Sequence, residues 1–143
     1  MLAAACIPYD PEEHDFTLAD LREHLAANLP YECALTEWEG FTTTVPQVRV
    51  ATAVPLTIQI EDDPDYVPEE LAGVAEEAEG VLSDDWVQLL RRCRARLDVM
   101  EAEEDLQLDP TQPDVEAVLI EIARFVDGLV HDNVNGEWLV PEG

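Results

Sequence analysis

A chain of 143 residues with 47% hydrophobic residues is long enough for one domain with a buried core, and 33 acidic against 7 basic residues give a formal net charge of −26. Every basic residue is Arg, since the chain contains no Lys. Direct phosphate binding needs net positive surface, so this balance excludes a nucleic-acid-binding module and points toward basic partners.

Self-repulsion on this scale opposes compaction, so it persists only where the setting tolerates it or a function uses it. Drift toward Arg codons accounts for the missing Lys but not for the acid excess. A salt-adapted host fits poorly with three Cys and more Glu than Asp, 19 against 14.

The start, MLAAACIPYDPEEH, has no basic residue and no hydrophobic run of secretory length, so it does not read as a signal peptide. Residues 1–15 read as an irregular arm. LAAAC is only superficially a lipoprotein box, because Ala3 rather than Leu stands three residues before Cys6. No segment approaches the roughly 18 apolar residues of a membrane span, and a soluble, cytoplasmic protein is expected. Cys6, Cys33 and Cys93 are odd in number and form no C-x-x-C pair, which predicts reduced thiols, with Cys93 in the core.

Thr17 and Asp20 read as N-cap and N3 of a first helix, with a staple between Phe16 and Leu21. Leu18, Leu21, Leu25 and Leu29 share one face, and Pro30 stops the helix. YECALTEWEGFTTTV reads as two strands about a turn at Gly40. From Val48 to Ile60 the apolar residues fall on even positions, the period of a half-covered antiparallel strand. Thirteen residues exceed an ordinary strand, and Pro55 calls for a bend, a bulge or an edge position.

A helix is predicted from Pro68 with Leu71, Val74, Ala75 and Ala78 inward. The next is capped by Ser83, with Asp84 and Asp85 at its positive end and Trp86, Leu89, Leu90, Cys93 and Leu97 at helical spacing. Within RARLDVME the period changes to that of a strand. Residues 101–112 read as a polar loop, and Pro113 opens the longest helix, with Val115, Val118, Leu119, Ile122, Val126 and Leu129 inward. Asn135-Gly136 marks a turn before a last strand, EWLV. The pattern predicts a single α+β domain over 1–143: a mostly antiparallel sheet of about five strands with three to four helices, packed mainly on one face. The segment from Leu97 to Val140 suggests half of a ferredoxin-like arrangement.

No catalytic, cofactor-binding or metal signature emerges. Glu61, Asp62, Asp63, Asp65, Glu69 and Glu70 form a carboxylate run, but Pro64, Tyr66 and Val67 interrupt the alternation of a calcium loop and no Gly lies among them. The run reads as a solvated surface. His131-Asp132 reads as a helix-end feature rather than a general base, because no nucleophile or substrate site accompanies it. Ser83 lacks G-x-S-x-G, Cys33 has no evident base, and no phosphate-binding loop occurs. Trp38, Trp86 and Trp138 read as core or half-buried anchors.

Residues 61–85 hold 11 acids and no base, and 98–121 hold 9 acids and no base. Between them stand four of the seven arginines, Arg91, Arg92, Arg94 and Arg96. These are expected to complement their own helix end and nearby carboxylates, or to meet acidic patches of a second copy in a homodimer.

The leading expectation is a non-enzymatic inhibitor or antitoxin-like immunity protein that binds a basic partner protein. The partner-binding candidates are Glu61, Asp62, Asp63, Asp65, Glu69, Glu70, Glu101, Glu103, Glu104 and Asp105. A nucleic-acid mimic of anti-restriction or anti-CRISPR type, with these acids in rows on one elongated face, is the alternative, as is an acidic chaperone for a secreted protein. A carboxylate-dependent hydrolase comes third and requires a concave pocket joining His131 to a buried acid.

Overall fold

Seven strands and four helices lie among the described residues of the computed structural model, which are 3–103 and 105–141. In chain order they are β1 (Ala5–Tyr9), α1 (Leu18–Asn28), β2 (Cys33–Glu39), β3 (Thr44–Val50), β4 (Leu56–Glu61), α2 (Val67–Ala78), α3 (Asp84–Arg92), β5 (Ala95–Glu101), α4 (Pro113–Phe125), β6 (Val130–Asp132) and β7 (Glu137–Leu139). The strands form one sheet in the order β2-β3-β4-β5-β1-β6-β7, and every neighbouring pair is antiparallel. The class is α+β, as the pattern predicts, with two strands more than expected.

Part of the difference arises at Pro55. The long even-numbered stretch is two strands, β3 and β4, folded back on each other through residues 51–55, with Val48 opposite Ile58 and Val50 opposite Leu56. Partner numbers in this register sum to an even total, so even positions stay on one face through the reversal. A single uninterrupted period therefore masks the turn.

The irregular arm expected over 1–15 is also overturned. Ala5–Tyr9 is a central strand between β5 and β6, and Ile7 is fully buried. Pro8 is tolerated because β6 pairs only with Ala5 and Cys6, so the missing N–H faces no partner on that side. Since β5 and β6 each run antiparallel to β1, they are parallel to one another, joined by α4 with β1 inserted between them. The result is a split strand–helix–strand, but its closing strand is β6 and not the EWLV strand on which the sequence suggested half of a ferredoxin-like arrangement; β7 runs antiparallel to β6.

The helices divide between the two faces of the sheet rather than gathering on one. Leu56, Ile58, Leu97, Val99 and Ile7 face α1 and α4, whose Leu21, Leu25, Leu119 and Ile122 complete the main core. The capping box of α1 forms as predicted, with Asp20 N–H donating to Thr17 Oγ1 at 3.2 Å and Thr17 N–H to Asp20 Oδ2 at 2.9 Å. Phe16 packs its ring at a tilt against Tyr9 and edge-on against Phe125.

Helices α2 and α3 pair on the second face, where Ala75, Ala78, Val87 and Leu90 enclose Leu129 with Trp138 against them. The first-face residues alternate with polar ones along β4 and β5, which is why this second layer did not show in the strand pattern. Ser83 occupies the N-cap of α3, but its hydroxyl makes no capping bond. The change of period comes at Cys93, which is fully buried, so Leu97 owes its burial to β5 and not to helical spacing. Residues 102–112 are not wholly a polar excursion either, since Leu108 is buried in the main core.

Helix α4 begins at Pro113 and ends at Phe125, with Asp127 in the left-handed region at φ 50°. Gly128 then passes over β1 so closely that a Cβ there would lie 3.1 Å from the Pro8 carbonyl oxygen. His131 is consequently a strand residue on β6, paired with Cys6 and Trp138, and not a helix-end feature.

Candidate functional site: a carboxylate-lined cleft on the second sheet face

Between α2 and the second face of the sheet lies a cleft of about 670 Å³, lined among others by Cys6, Glu61, Glu70, Arg96, Asp98 and His131. Strand alternation aims Arg96, Asp98, Cys6 and His131 to this side while their neighbours fill the main core. Glu61 stands opposite Arg96 across the β4–β5 ladder, and Glu70 reaches in from the first turn of α2.

Arg96 is the cleft's anchored cation. Its Nε donates to Asp98 Oδ1 at 2.9 Å, and its Nη1 donates to Glu70 Oε2. Its side chain is 19% exposed and that of Asp98 10%. Burial alone would lower the Arg96 pKa, but the bonds to Glu70 and Asp98 hold it above its ordinary value. The Asp98 carboxyl is raised, chiefly by burial, with Glu61 and Glu70 adding to the rise and Arg96 opposing it. Tyr66, whose hydroxyl donates to Glu61, is pushed up to about 12 by that bond first and by burial second. Burial, reinforced by Asp98, pushes the Cys6 thiol up to about 12. Every resolved shift in the cleft is therefore upward, and the carboxylates' share in each is that of a negative field favouring a bound positive charge.

His131 sits at the cleft's opposite wall. Asn133 Nδ2 donates to the Ala3 carbonyl at 2.9 Å, leaving Asn133 Oδ1 as acceptor for His131 Nδ1–H, which makes Nε2 the basic ring atom. Trp138 packs edge-on against the imidazole with ring centroids 4.5 Å apart. Asp132 does not orient His131: it is buried and accepts from Val134 N–H, Asn135 N–H and Asn135 Nδ2 to shape the turn before β7. Trp86 and Trp138 are half-buried anchors as expected, but Trp38 is 54% exposed on β2.

The predicted partner-binding acids separate. Glu61 and Glu70 line the cleft, while Asp62, Asp65 and Glu69 are exposed and do not line it. Asp63 shapes the turn that leads into α2, its carbonyl accepting from Val67 N–H and its Oδ1 from Asp65 N–H. Glu101 lies opposite Leu56, five residues along β4 from Glu61 and so about 17 Å away, and on the other face of the sheet. Glu103 pairs with Arg49 and Asp105 is exposed at that far end; Glu104 lies outside the described residues. Thus 61–70 and 101–105 do not form one row.

Arg91 bonds to Glu79, and Arg94 donates to the carbonyls of Arg91 and Cys93 at the end of α3. With Arg96, three of the four clustered arginines are engaged within the chain. Among the described residues no group of His, Cys, Asp and Glu could hold a metal ion, and no helix is long and apolar enough to cross a membrane. The cleft's members come from six elements, and the sequence singled out Glu61, Glu70, Arg96 and His131 as candidates without any sign that they share one site. No protein-family model, curated protein or solved structure matches the chain.

Proposed function

We propose that the protein is a non-enzymatic acidic interaction protein, of inhibitor or immunity type, whose second-face cleft receives a cationic side chain of a basic partner. The observation that carries this reading is the cleft's charge: Glu61, Glu70, Glu77 and Asp98 face it with Arg96 as the one guanidinium among them. A partner's Arg or Lys brought there meets carboxylates whose field already favours positive charge, and Tyr66 and Trp138 supply apolar walls for its stem. The overall charge of −26 speeds encounter with a positive surface, an advantage that weakens as salt rises. Separation of 61–70 from Glu101, Glu103 and Asp105 toward opposite ends of β4 favours this over a nucleic-acid mimic built from both runs.

Affinity purification from the native host at low ionic strength tests it. The expected partner is a basic protein whose affinity falls with salt and falls again for the Glu61→Gln, Glu77→Gln double variant. A partner without basic surface, or an affinity insensitive to both salt and the variant, overturns it.

A hydrolase is the second reading, because the cleft does join His131 to the buried Asp98. Against it, Asp98 is occupied by Arg96 and the Cys6 thiol is held protonated, leaving no activated nucleophile. Hydrolysis of simple esters or phosphoesters that disappears with His131→Gln would favour it.

A further inference from the structure

The outermost strand, β2, pairs on one side only and runs seven residues against β3 without a break in register. Which of its backbone groups point outward follows from the bonds that flank it. Gly40 N–H donates to the Thr43 carbonyl and Ala51 N–H to the Glu32 carbonyl, so even-numbered residues bond to β3 and odd-numbered ones face away. The carbonyl of Cys33 agrees with this, since it accepts from Arg22 Nε instead of from β3. Leu35, Glu37 and Glu39 are left with outward N–H and C=O groups that have no partner among the described residues.

Open edges are normally blunted by Pro, Lys, a bulge or a short strand. This one has no Pro, Lys or bulge and is protected only by the charges of Glu37 and Glu39, beside which it carries exposed apolar bulk. Leu35 is 52% exposed, Trp38 54%, and Phe41 at the hairpin tip fully so. Beside Leu35, the first face extends past α1 into an apolar groove of about 680 Å³ bordered by Leu18, Pro46 and Ile60.

The only charges on the edge are Glu37 and Glu39. A second copy would bring another acidic strand and another net charge of −26 against it, so self-pairing is opposed by the same groups that would attract a basic strand.

We propose that β2 is a docking edge for an extended segment of a partner, added as an eighth strand, with Lys or Arg beside Glu37 and Glu39 on one face and an apolar residue beside Trp38 on the other. This deepens the preceding reading and rests on it for the partner's basic character, but it concerns a different surface from the cleft. Main-chain bonds to Leu35, Glu37 and Glu39 supply strand pairing, and the alternating side chains supply selection.

The probe is an acetylated and amidated peptide of about nine alternating Val and Lys residues, enough to span β2 at about 3.4 Å per residue. Amide hydrogen exchange of the full chain, followed residue by residue, is the readout. Expected is added protection at Leu35, Glu37 and Glu39, lost when alternate peptide amides are N-methylated. Glu37→Pro removes one outward donor while leaving the β3 ladder intact, and Glu37→Gln controls for the charge. The Pro variant should bind up to about tenfold more weakly than the Gln variant, the equivalent of one net hydrogen bond.

Equal binding by the two variants, or no protection at the edge, overturns the proposal. Protection around Glu61 and Glu70 instead overturns the edge but leaves the cleft reading standing. An alternating Val and Thr peptide that protects the edge as well as the Lys peptide does retains strand addition but removes its basic selectivity. Protection of the edge in the protein alone, with a doubled mass, overturns the proposal in favour of a second copy.

Discussion

Replacing Arg96 with Met should destabilise the protein strongly near neutral pH and much less in acid. Among the described residues the guanidinium is the one cation bonded to Asp98, which is 7% exposed, and removing it leaves a buried carboxylate with Glu61 and Glu70 nearby. Breaking a buried pair this way costs about 3–5 kcal/mol, and the 19% exposure of the Arg96 side chain argues for the lower end, about 3 kcal/mol. For a chain of this size that is a fall of about 6–12 °C in Tm.

The pH dependence follows from the raised Asp98 pKa. A carboxyl with a folded pKa above its unfolded value favours folding most when protonated, below the unfolded value, and that contribution is lost as pH rises through the folded value. Without Arg96, which opposes the rise, the folded value moves higher and the deficit extends further toward neutrality. Thermal melts of both proteins from about pH 4 to about pH 7 should therefore show curves that converge on acidification. General relief of carboxylate repulsion is nearly common to both and largely cancels in the difference. Asp98→Asn should restore part of the loss in the Met background. A deficit below about 1 kcal/mol at neutral pH, the range of an exposed pair, or one that does not shrink in acid, would refute the account.

Ile58→Asp should abolish the folded state, because Ile58 is fully buried between Val48 and Val99 and an unpaired charge there costs several kcal/mol against a total of about 5–15; a cooperative melt near the wild-type Tm would contradict this. Neutralising Asp62, Asp63 and Asp65 to Asn should leave the fold intact or slightly steadier, since a side-chain amide oxygen at position 63 can still accept from the backbone N–H of position 65 while repulsion falls. Melts with and without calcium or magnesium check it: a large cation-dependent rise in the wild type that vanishes in the triple variant would reveal a metal site. Thr17→Ala should cost about 1 kcal/mol and Ser83→Ala much less, because only Thr17 bonds to its helix; equal losses in urea titrations would contradict the cap assignments.

Much of the local structure was legible in the chain. The capping box at Thr17, Pro113 at the head of α4, and the even-numbered apolar face from Val48 to Ile60 each encode short-range sterics and hydrogen bonding, which neighbouring residues fix by themselves. The same locality hid the turn at residues 51–55, because an even register preserves the alternation across it. It also hid β1, since a short apolar run containing Pro8 becomes a strand only once β5 and β6 lie on either side.

The cleft was less legible still. Composition and the run at 61–70 announced a negative protein, but Cys6, Asp98 and His131 carry no spacing signal, being joined by strand order across more than a hundred residues of chain. The open side of β2 is equally invisible in CALTEWE, whose pattern specifies a strand but not how many neighbours it has. Charge and periodicity are properties of the chain, and the sequence determined them. Sheet order, the partner of each buried carboxylate and the strand left unpaired were decided only by the tertiary structure, because they depend on which distant apolar faces can be buried together.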